Sequence, residues 1–508
     1  MKKKLGAIIM AGVMACTMTA GLALTAGCGK TTVQPDFVMP EGGFDTSKGV
    51  TIKFYHTMNQ DLRKVLQSYI TKFNVLYPNI EVKEEAVGGY DDVRDQINTE
   101  IIAGDQPNIA YCYPDHVALF NESDAVQSLN GFLPDGEYKN MTVKRVKTDA
   151  KGDAVKDENG NLVYEDVSLG LTQEEKDMFI DGYYDEGFKF GDESQMYTLP
   201  FSKSTEVMFY NKTFFEQNNL KVPETWDEME TVCARILEID AARGKEETVP
   251  LGYDSEANWF ITMCEQYGSG YTSSSGNHFL FDNSTNRGFV ERFKDWRNKG
   301  YFTTQTLNKG YTSSLFTTQQ CYMCIGSSAG AKNQSPDRVQ GEYPFEVGIA
   351  SIPQLKQTTN PAGANYDANY KAKVISQGPS VCIFRQKDPQ QVLASWLFVK
   401  YLTTNIDFQA RFSSTSGYVP VLKMEQMQKN KTYADFMADA NGYDNLNYLS
   451  ALRCMEQEDA YYTSPAFMGS SKARDQVGAL MQAVFAGSKT IDEAFKYAIR
   501  ECEYAAKG

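Results

Sequence analysis

The hydrophobic positions of residues 49–135 alternate between the spacing of a β-strand and that of an α-helix. Residues 51–55 alternate between polar and apolar side chains, as a half-buried strand does. Apolar side chains then recur every three or four positions from Leu62 to Phe73, as they do on one face of a helix. The pattern continues, with strands predicted at 80–82 and 109–113 and a second helix at 93–101. Strands that alternate with helices along the chain predict a parallel sheet built from βαβ units.

The ends of these predicted strands carry side chains that are suited to binding a ligand. In open α/β sheets the ligand lies in a crevice beyond the carboxyl ends of the parallel strands. His56 and Asp115 closely follow two of the predicted strands, and Tyr90 lies between a third strand and the next helix. The pattern therefore predicts one crevice near these three residues.

The alternation stops near residue 136 and resumes at residue 197. The intervening segment mixes acidic and basic residues around Glu-Asn-Gly-Asn at 158–161, which is typical of a hairpin turn. We therefore predict a surface hairpin insertion at 136–190. Beyond it, strands and helices are predicted at 205–210, 225–243, 286–299, 321–326, 345–350 and 379–384, followed by several helices from 389 to the end.

The N-terminus has the pattern of a secretory signal peptide. Three lysines, Lys2 to Lys4, precede an apolar run that ends at Ala26. Cys28 follows Ala-Gly, as in a bacterial lipobox. We predict a signal peptide at 1–27, a lipidated Cys28 and a linker at 28–48, which would anchor the protein to the extracytoplasmic face of the bacterial cell membrane. The alternatives are ordinary cleavage near Ala26 and a short membrane helix.

The chain is acidic, with a formal net charge of −15 at pH 7. An acidic surface argues against nucleic acid or an anionic membrane face as a partner. Cysteines other than Cys16 and Cys28 are too sparse for a disulfide scaffold. Cys321 and Cys324 lie in the apolar run CYMCIG, which favours buried thiols in a strand over a zinc or redox site. We therefore expect neither a metal nor a cofactor.

Residues 197–229 carry motifs that become specific when they are combined with others elsewhere in the chain. Leu199-Pro200, Tyr210-Asn211-Lys212 and PETWDE (223–228) follow one another in this stretch. Further motifs occur in order: YPNIEV (77–82), IIAGDQPNI (101–109), FEVGIASIPQ (345–354), ASWLFVKYLT (394–403) and SGYVPV (416–421). With these motifs the chain resembles the extracellular solute-binding proteins of bacterial ABC importers, of the sugar-binding type.

The resemblance implies an α/β fold of the two-lobed periplasmic-binding-protein type, whose lobes close on a ligand by hinge motion. The lobes are expected to be discontinuous. The first would comprise 49–200 and 328–405, including the insertion, and the second would comprise 201–327 and 406–508. The resemblance also implies a monomer that is not an enzyme. Such a protein captures a small-molecule solute outside the membrane and delivers it to an ABC permease.

Within this family the spacing is most similar to that of glycerol-phosphate-binding proteins. The likeness implies a set of ligand-binding residues: Tyr90, Asp115, Ser204, Ser328, Gly378, Tyr418 and Arg474. Asp115 departs from the pattern, since a longer glutamate is expected there. Residues 253–260 contain one tryptophan, Trp259, where the subgroup tends to have two. We expect Trp259 either to line the cleft or to be part of the core.

The chemistry of these residues leaves alternatives open. Asp115 is also suited to cap the following helix, Arg474 to lie on the solvated surface, and Ser328 to form a polar turn. Asp115 and Glu122 could supply the two carboxylates of a glycoside hydrolase, so a secreted hydrolase is the alternative class. For a binding protein, the family favours a sugar or oligosaccharide. The spacing and the Arg474 guanidinium, which suits oxyanions, favour glycerol-3-phosphate or a glycerophosphodiester.

Overall fold

The computed structural model describes residues 34–190, 194–245, 247–438 and 445–506, so the signal peptide, Cys28 and the first part of the predicted linker lie outside it. The strands are β1 Val50–His56, β2 Ile80–Ala86, β3 Ile109–Cys112, β4 Thr142–Val146, β5 Tyr164–Ser168, β6 Thr198–Pro200, β7 Ser204–Asn211, β8 Val249–Tyr253, β9 Phe302–Thr304, β10 Cys321–Ser327, β11 Val347–Ser351, β12 Val374–Gln377, β13 Ser380–Ile383 and β14 Tyr461–Tyr462. The α-helices are α1 Gln60–Leu76, α2 Tyr90–Ala103, α3 Pro114–Asn121, α4 Gln173–Asp177, α5 Asp181–Asp185, α6 Lys212–Gln217, α7 Trp226–Ala242, α8 Glu256–Tyr267, α9 Ser284–Asn298, α10 Gln305–Asn308, α11 Ser313–Thr317, α12 Pro389–Thr404, α13 Ile406–Thr415, α14 Met424–Met427, α15 Lys431–Met437, α16 Leu446–Glu456, α17 Ser470–Phe485 and α18 Ile491–Ala505. Short 3₁₀ helices lie at Asn130–Phe132, Glu186–Phe188, Ser328–Gln334 and Glu458–Ala460.

The first lobe is built on a five-stranded sheet in the order β2-β1-β3-β13-β6. Strand β1 pairs in parallel with β2 and β3, as the alternation of the sequence predicts, whereas β13 is antiparallel to β3 and β6. Helix α1 starts where the Asn59 side chain accepts a hydrogen bond from the Leu62 backbone N–H. The apolar face of α1, from Leu62 to Phe73, is buried in the core of this lobe.

The second lobe is built on a seven-stranded sheet whose central strand is β7. Strand β10 runs antiparallel along one edge of β7, and β11 and β12 follow one another along the other edge. Beyond β10 the sheet continues in parallel through β8 and β9. Cys321 and Cys324 are fully buried in β10. The core of this lobe contains many aromatic side chains, including Trp226, Trp259 and Trp296.

The chain crosses between the lobes at places that differ in part from the predicted boundaries. The first crossing runs from β6 to β7, at the predicted position near residue 200. Residues 347–377 were predicted in the first lobe, but β11 and β12 hydrogen-bond to β7 in the second sheet. The second crossing is therefore between β12 and β13.

Helix α13 also lies in a different lobe from the one predicted. Phe408 packs against Tyr69 of α1 with ring centroids 5.1 Å apart, and the Gln409 side-chain amide donates to the carbonyl oxygen of Phe201. Tyr433 of α15 is likewise buried in the first core. The chain returns to the second lobe with α16, whose Leu446 packs with Val207 and Phe209 of β7, and β14 then pairs with β12. The third crossing therefore comes after α15 instead of near residue 405.

The insertion at 136–190 contains the predicted hairpin, formed by β4 and β5. Its base is part of the first lobe, because the Trp396 indole N–H donates to the Leu169 carbonyl and the Lys400 ammonium donates to the Gly170 carbonyl. Its far end consists of two exposed turns. In these turns the carboxylates of Asp149 and Asp157 accept backbone N–H groups two and four residues ahead.

The described part of the predicted linker is packed on the first lobe. The Phe37 ring lies 5.6 Å from that of Phe132, and the Gln34 amide donates to the Gly104 carbonyl. Phe44 contacts Tyr77. From residue 34 onward the chain is therefore part of the folded lobe and not a free tether.

A buried ion pair lies beside the first and second crossings. The Lys203 ammonium on the first crossing is 2.6 Å from a carboxylate oxygen of Glu186, and the side chains are 1% and 5% exposed. The ammonium also donates to the Ser380 hydroxyl at the start of β13, 3.3 Å away. The other Glu186 oxygen accepts from the Thr463 hydroxyl, which follows β14. One carboxylate from the insertion thus contacts groups on the first two crossings and on the segment that follows β14.

Candidate ligand-binding cleft

A cleft of about 930 Å³ lies between the two lobes. The first lobe contributes residues that follow β2 and β3, and the second contributes the ends of β8, β9 and β10 and the start of β7. This is the edge where ligands bind in α/β sheets. The chain therefore brings residues that are far apart in sequence to one polar crevice.

The wall formed by the first lobe is aromatic. The rings of Tyr90 and Tyr113 lie 4.5 Å apart at an interplanar angle of 30°, and the hydroxyls of Tyr90 and Tyr418 are 3.5 Å apart. Tyr90 is the first residue of α2, and Tyr113 directly precedes Pro114, which starts α3. Burial raises the pKa of all three tyrosines, so their hydroxyls stay protonated at neutral pH and can donate hydrogen bonds.

A chain of hydrogen bonds forms the floor contributed by the second lobe. The Glu206 carboxylate accepts from the Tyr253 hydroxyl at 2.6 Å and from the Asn258 amide at 3.0 Å. The Asn258 carbonyl oxygen in turn accepts from the Arg474 guanidinium. Glu206 is 1% exposed, and burial raises its pKa to about 7. Arg474 is thereby linked to a buried carboxylate through one amide.

Carboxylates outnumber cations in the described lining of the cleft. The guanidinium groups are those of Arg94 and Arg474. The carboxylates are those of Asp91, Asp92, Glu206, Asp254, Glu256 and Asp475. Since unlike charges attract and like charges repel, this lining disfavours a ligand with a high negative charge.

Arg94 lines the cleft and reaches from one lobe to the other. It projects from α2 of the first lobe, and its guanidinium donates to the Ser471 hydroxyl of α17 at 3.2 Å. It also lies 3.4 Å from the Asp475 carboxylate of the same helix and 3.2 Å from Asp91. Arg94 is therefore already paired with acidic groups and joins the two lobes.

The residues implied by the resemblance fall into two groups. Tyr90, Ser204, Tyr418 and Arg474 line the cleft. Asp115 lies beside it, in a side cavity of about 40 Å³ that Arg474 also lines. Its carboxylate accepts the backbone N–H of His116, as expected near the start of a helix.

The other implied residues lie behind the cleft surface. Ser328 is fully buried, and its hydroxyl accepts from the Thr205 N–H, whereas the adjacent Ser327 lines the cleft. Gly378 has φ +90° at the second crossing, and a Cβ there would be 2.4 Å from the Ser202 carbonyl oxygen. Glycine is required there because a larger residue would be strained and would collide with the first crossing.

Trp259 is a core residue, not part of the cleft surface. It lies within α8, is fully buried and stacks on Tyr253 with ring centroids 4.7 Å apart. The helix begins after Ser255, whose hydroxyl accepts from the Asn258 N–H and caps it. His56, expected near the crevice, is also fully buried and contacts Glu84 at 2.9 Å.

Several residues of the cleft were missed from the sequence. His116 directly follows the predicted Asp115 and could have been found by the same strand-end argument. Glu206 lies two residues after Ser204 on β7, so the two side chains point to the same side of the strand. Asn258 gave no signal, because its position depends on the packing of α8.

The described residues contain no group of three or more His, Cys, Asp or Glu side chains placed to hold a metal ion. None of the helices in the described ranges has both the length and the apolar character needed to cross a membrane.

Comparison with known families identifies the chain. The family model of bacterial extracellular solute-binding proteins matches residues 68–438, which is more than half of the sequence. The chain belongs to this family. Membership confirms the predicted class of protein, a binding protein that acts outside the cytoplasm.

Curated relatives and solved structures are consistent with this family of solute-binding proteins. The sn-glycerol-3-phosphate-binding periplasmic protein UgpB of Salmonella typhimurium is 20% identical over 461 residues, covering 88% of this chain and 91% of that protein. UgpB from Mycobacterium tuberculosis in complex with glycerophosphocholine is 16% identical with a TM-score of 0.66, covering 90% of this chain and 98% of that chain. An ABC substrate-binding protein from Listeria monocytogenes in complex with cycloalternan is 15% identical with a TM-score of 0.66, covering 90% and 99%. The structural likeness confirms the predicted two-lobed α/β fold.

Proposed function

We propose that this solute-binding protein captures an uncharged carbohydrate, a sugar or oligosaccharide, and delivers it to the permease of an ABC importer. The observation that carries the proposal is the lining of the cleft, where three tyrosines face a floor rich in carboxylates. Carboxylates and amides accept hydrogen bonds from sugar hydroxyls, and tyrosine rings pack against the C–H-rich faces of sugars.

The size of the cleft supports an oligosaccharide. Its volume of about 930 Å³ is at the upper end of the range of small-molecule sites, which is about 300–1,000 Å³. Ser204, Asn258 and Gln377 add neutral polar groups that can bind hydroxyls without adding charge. The site needs no chemical step, since binding requires only that the polar groups of the ligand find partners when the lobes bury them.

The rest of the proposal concerns how the protein is held and how it acts. It acts as a monomer without catalytic activity, and lipidation of Cys28 tethers it to the outer face of the cell membrane. Since the chain is packed on the first lobe from residue 34 onward, the tether would be confined to about six residues. Replacing Cys28 with serine should release the protein from the membrane fraction, and retention of that variant in the membrane would contradict the anchor.

A glycerophosphodiester is the second candidate, and Arg474 favours it. The described residues give its guanidinium an amide partner, Asn258, but no ion pair, so its remaining donors are available to an oxyanion. Curated relatives of this chain are glycerol-3-phosphate-binding proteins. A phosphodiester carries one negative charge and would be opposed less strongly by the acidic lining than a phosphate monoester.

Isothermal titration calorimetry with maltotriose, cycloalternan, glycerophosphocholine and glycerol-3-phosphate tests both candidates. We expect an oligosaccharide to bind, and replacement of Tyr90 with alanine to weaken binding at least tenfold because a stacking face is lost. Tyr497→Ala, at an exposed tyrosine on α18, is the matched control and should leave affinity unchanged. Binding of the phosphoesters alone, with loss in Arg474→Gln, would replace the first candidate by the second. Turnover of a bound sugar would favour a hydrolase.

A further inference from the structure

Glu206 is a buried acid in the cleft whose role is not explained by hydroxyl binding alone. It is 1% exposed, yet it lines the cleft. Both of its oxygens are engaged, one by the Tyr253 hydroxyl and one by the Asn258 amide. A buried carboxylate is costly unless its hydrogen bonds are satisfied, so both donors matter to its stability. The position of the carboxylate is therefore fixed in the floor of the cleft.

The amide of Asn258 connects this carboxylate to the cation of the site. Its N–H donates to Glu206, and its carbonyl oxygen accepts from Arg474. The two bonds fix the orientation of the amide, because a flipped amide would present its N–H to the guanidinium and its oxygen to the carboxylate. Glu206, Asn258 and Arg474 belong to the second lobe, so this arrangement does not depend on closure.

We propose that Glu206 sets the charge specificity of the cleft: through Asn258 it holds the Arg474 guanidinium in place, and its own negative charge excludes dianionic ligand groups in favour of uncharged hydroxyls. This rests on the proposed function, in which the cleft binds a solute. Glu206 is a positioning and specificity-determining residue and need not touch the ligand. Arg474 then serves as a fixed donor to hydroxyl or ether oxygens, its positive charge offset by the acid behind it.

The alternative explanation is that Glu206 only supports the fold. In that case its replacement would change stability but not the preference of the cleft for charge. Asp254, whose charge also acts on Glu206, accepts hydrogen bonds from the backbone N–H and hydroxyl of Thr312 and has no described link to Arg474. A change in anion affinity that is specific to Glu206 would therefore separate the two explanations.

Inorganic sulfate is a suitable probe, because it stays dianionic over the working pH range and needs no knowledge of the natural solute. At pH 8 Glu206, with a pKa raised to about 7 by burial, is ionised. We expect Glu206→Gln to bind sulfate at least tenfold more tightly than the wild type in calorimetry. Glutamine preserves an acceptor for Asn258 and a partner for Tyr253, so Arg474 should stay in place. The double variant Glu206→Gln/Arg474→Gln should lose the gain.

Asp240→Asn is the matched control, since Asp240 is also a buried carboxylate of the second lobe and accepts from a tyrosine hydroxyl, that of Tyr322, but does not line the cleft. It should leave sulfate affinity within about twofold. Equal affinity of Glu206→Gln and wild type, including no binding by either, would overturn the proposal, as would an equal gain in Asp240→Asn. Circular dichroism checks folding, and Glu206→Met replaces the glutamine variant if that variant does not fold. Failure of the wild type to bind any carbohydrate would refute the proposed function without touching the sulfate result.

Discussion

The buried ion pair between Glu186 and Lys203 gives the sharpest test of how the lobes are held together. Replacing Glu186 with alanine leaves the Lys203 ammonium buried without its partner 2.6 Å away, and removes the acceptor of the Thr463 hydroxyl. Removing one partner of a buried pair typically costs about 3–5 kcal/mol, because the remaining charge is neither solvated nor compensated. With both side chains at most 5% exposed, solvent does little to screen this pair, so we expect a loss in that range.

Urea unfolding followed by circular dichroism measures this loss as a change in the free energy of unfolding. The double variant Glu186→Leu/Lys203→Met removes both charges and should recover most of the stability, which identifies the uncompensated charge as the cause. Asp435→Ala is the control, because Asp435 and Lys431 form an exposed pair worth at most about 0.5 kcal/mol. A loss below about 1 kcal/mol in Glu186→Ala, or no recovery in the double variant, would refute the reasoning.

Three further predictions concern the core and the titration of the cleft. Burial raises the pKa of Glu206 to about 7, so the folded protein keeps a proton there that the unfolded chain loses near pH 4.5. The free energy of unfolding of the wild type should therefore fall by up to about 3 kcal/mol between pH 4.5 and 7.5, relative to that of Glu206→Gln. Parallel pH profiles of the two proteins would contradict this prediction. Trp259→Ala should lower the free energy of unfolding in urea by about 3–5 kcal/mol, since the ring is fully buried among aromatic side chains. A loss below about 1 kcal/mol would contradict the burial of Trp259 in the core. The buried cysteines, Cys324 among them, should resist a thiol reagent in the native protein and react after denaturation; rapid native modification of Cys324, detected by mass spectrometry, would contradict its burial.

Local patterns predicted the elements of the fold well, because strand alternation, helical periodicity and capping are properties of neighbouring residues. Strands β1, β2 and β3 lie close to their predicted positions. The motif at 223–228 begins a helix as predicted from its residues. The Thr225 hydroxyl caps α7, and the Thr225 backbone N–H donates to the Glu228 carboxylate, which completes the capping box. Tyr90 and Ser204 were placed in the cleft by combining such local patterns with family resemblance.

Pairing over long sequence distances could not be predicted in the same way. Strand β11 was predicted from its own sequence and β12 was not, and the position of both depends on the free edge of β7, more than 130 residues earlier. Trp259 illustrates the same limit, since its burial is set by Tyr253 and by helices from later in the chain. Glu206 was not predicted as a site residue, because its role depends on contacts with Asn258 and, through Asn258, with Arg474, which are distant in sequence.

The two exposed turns at the end of the hairpin insertion make this protein suited to reporter engineering. Each turn is closed by its own aspartate, Asp149 or Asp157, so extra residues inserted there lengthen the loop without removing a buried contact. The base of the insertion is held by Trp396 and Lys400 in the first lobe. A fluorophore or split-enzyme fragment placed in either turn would therefore move with that lobe, and a second label on α18 would convert the approach of the lobes into a distance signal.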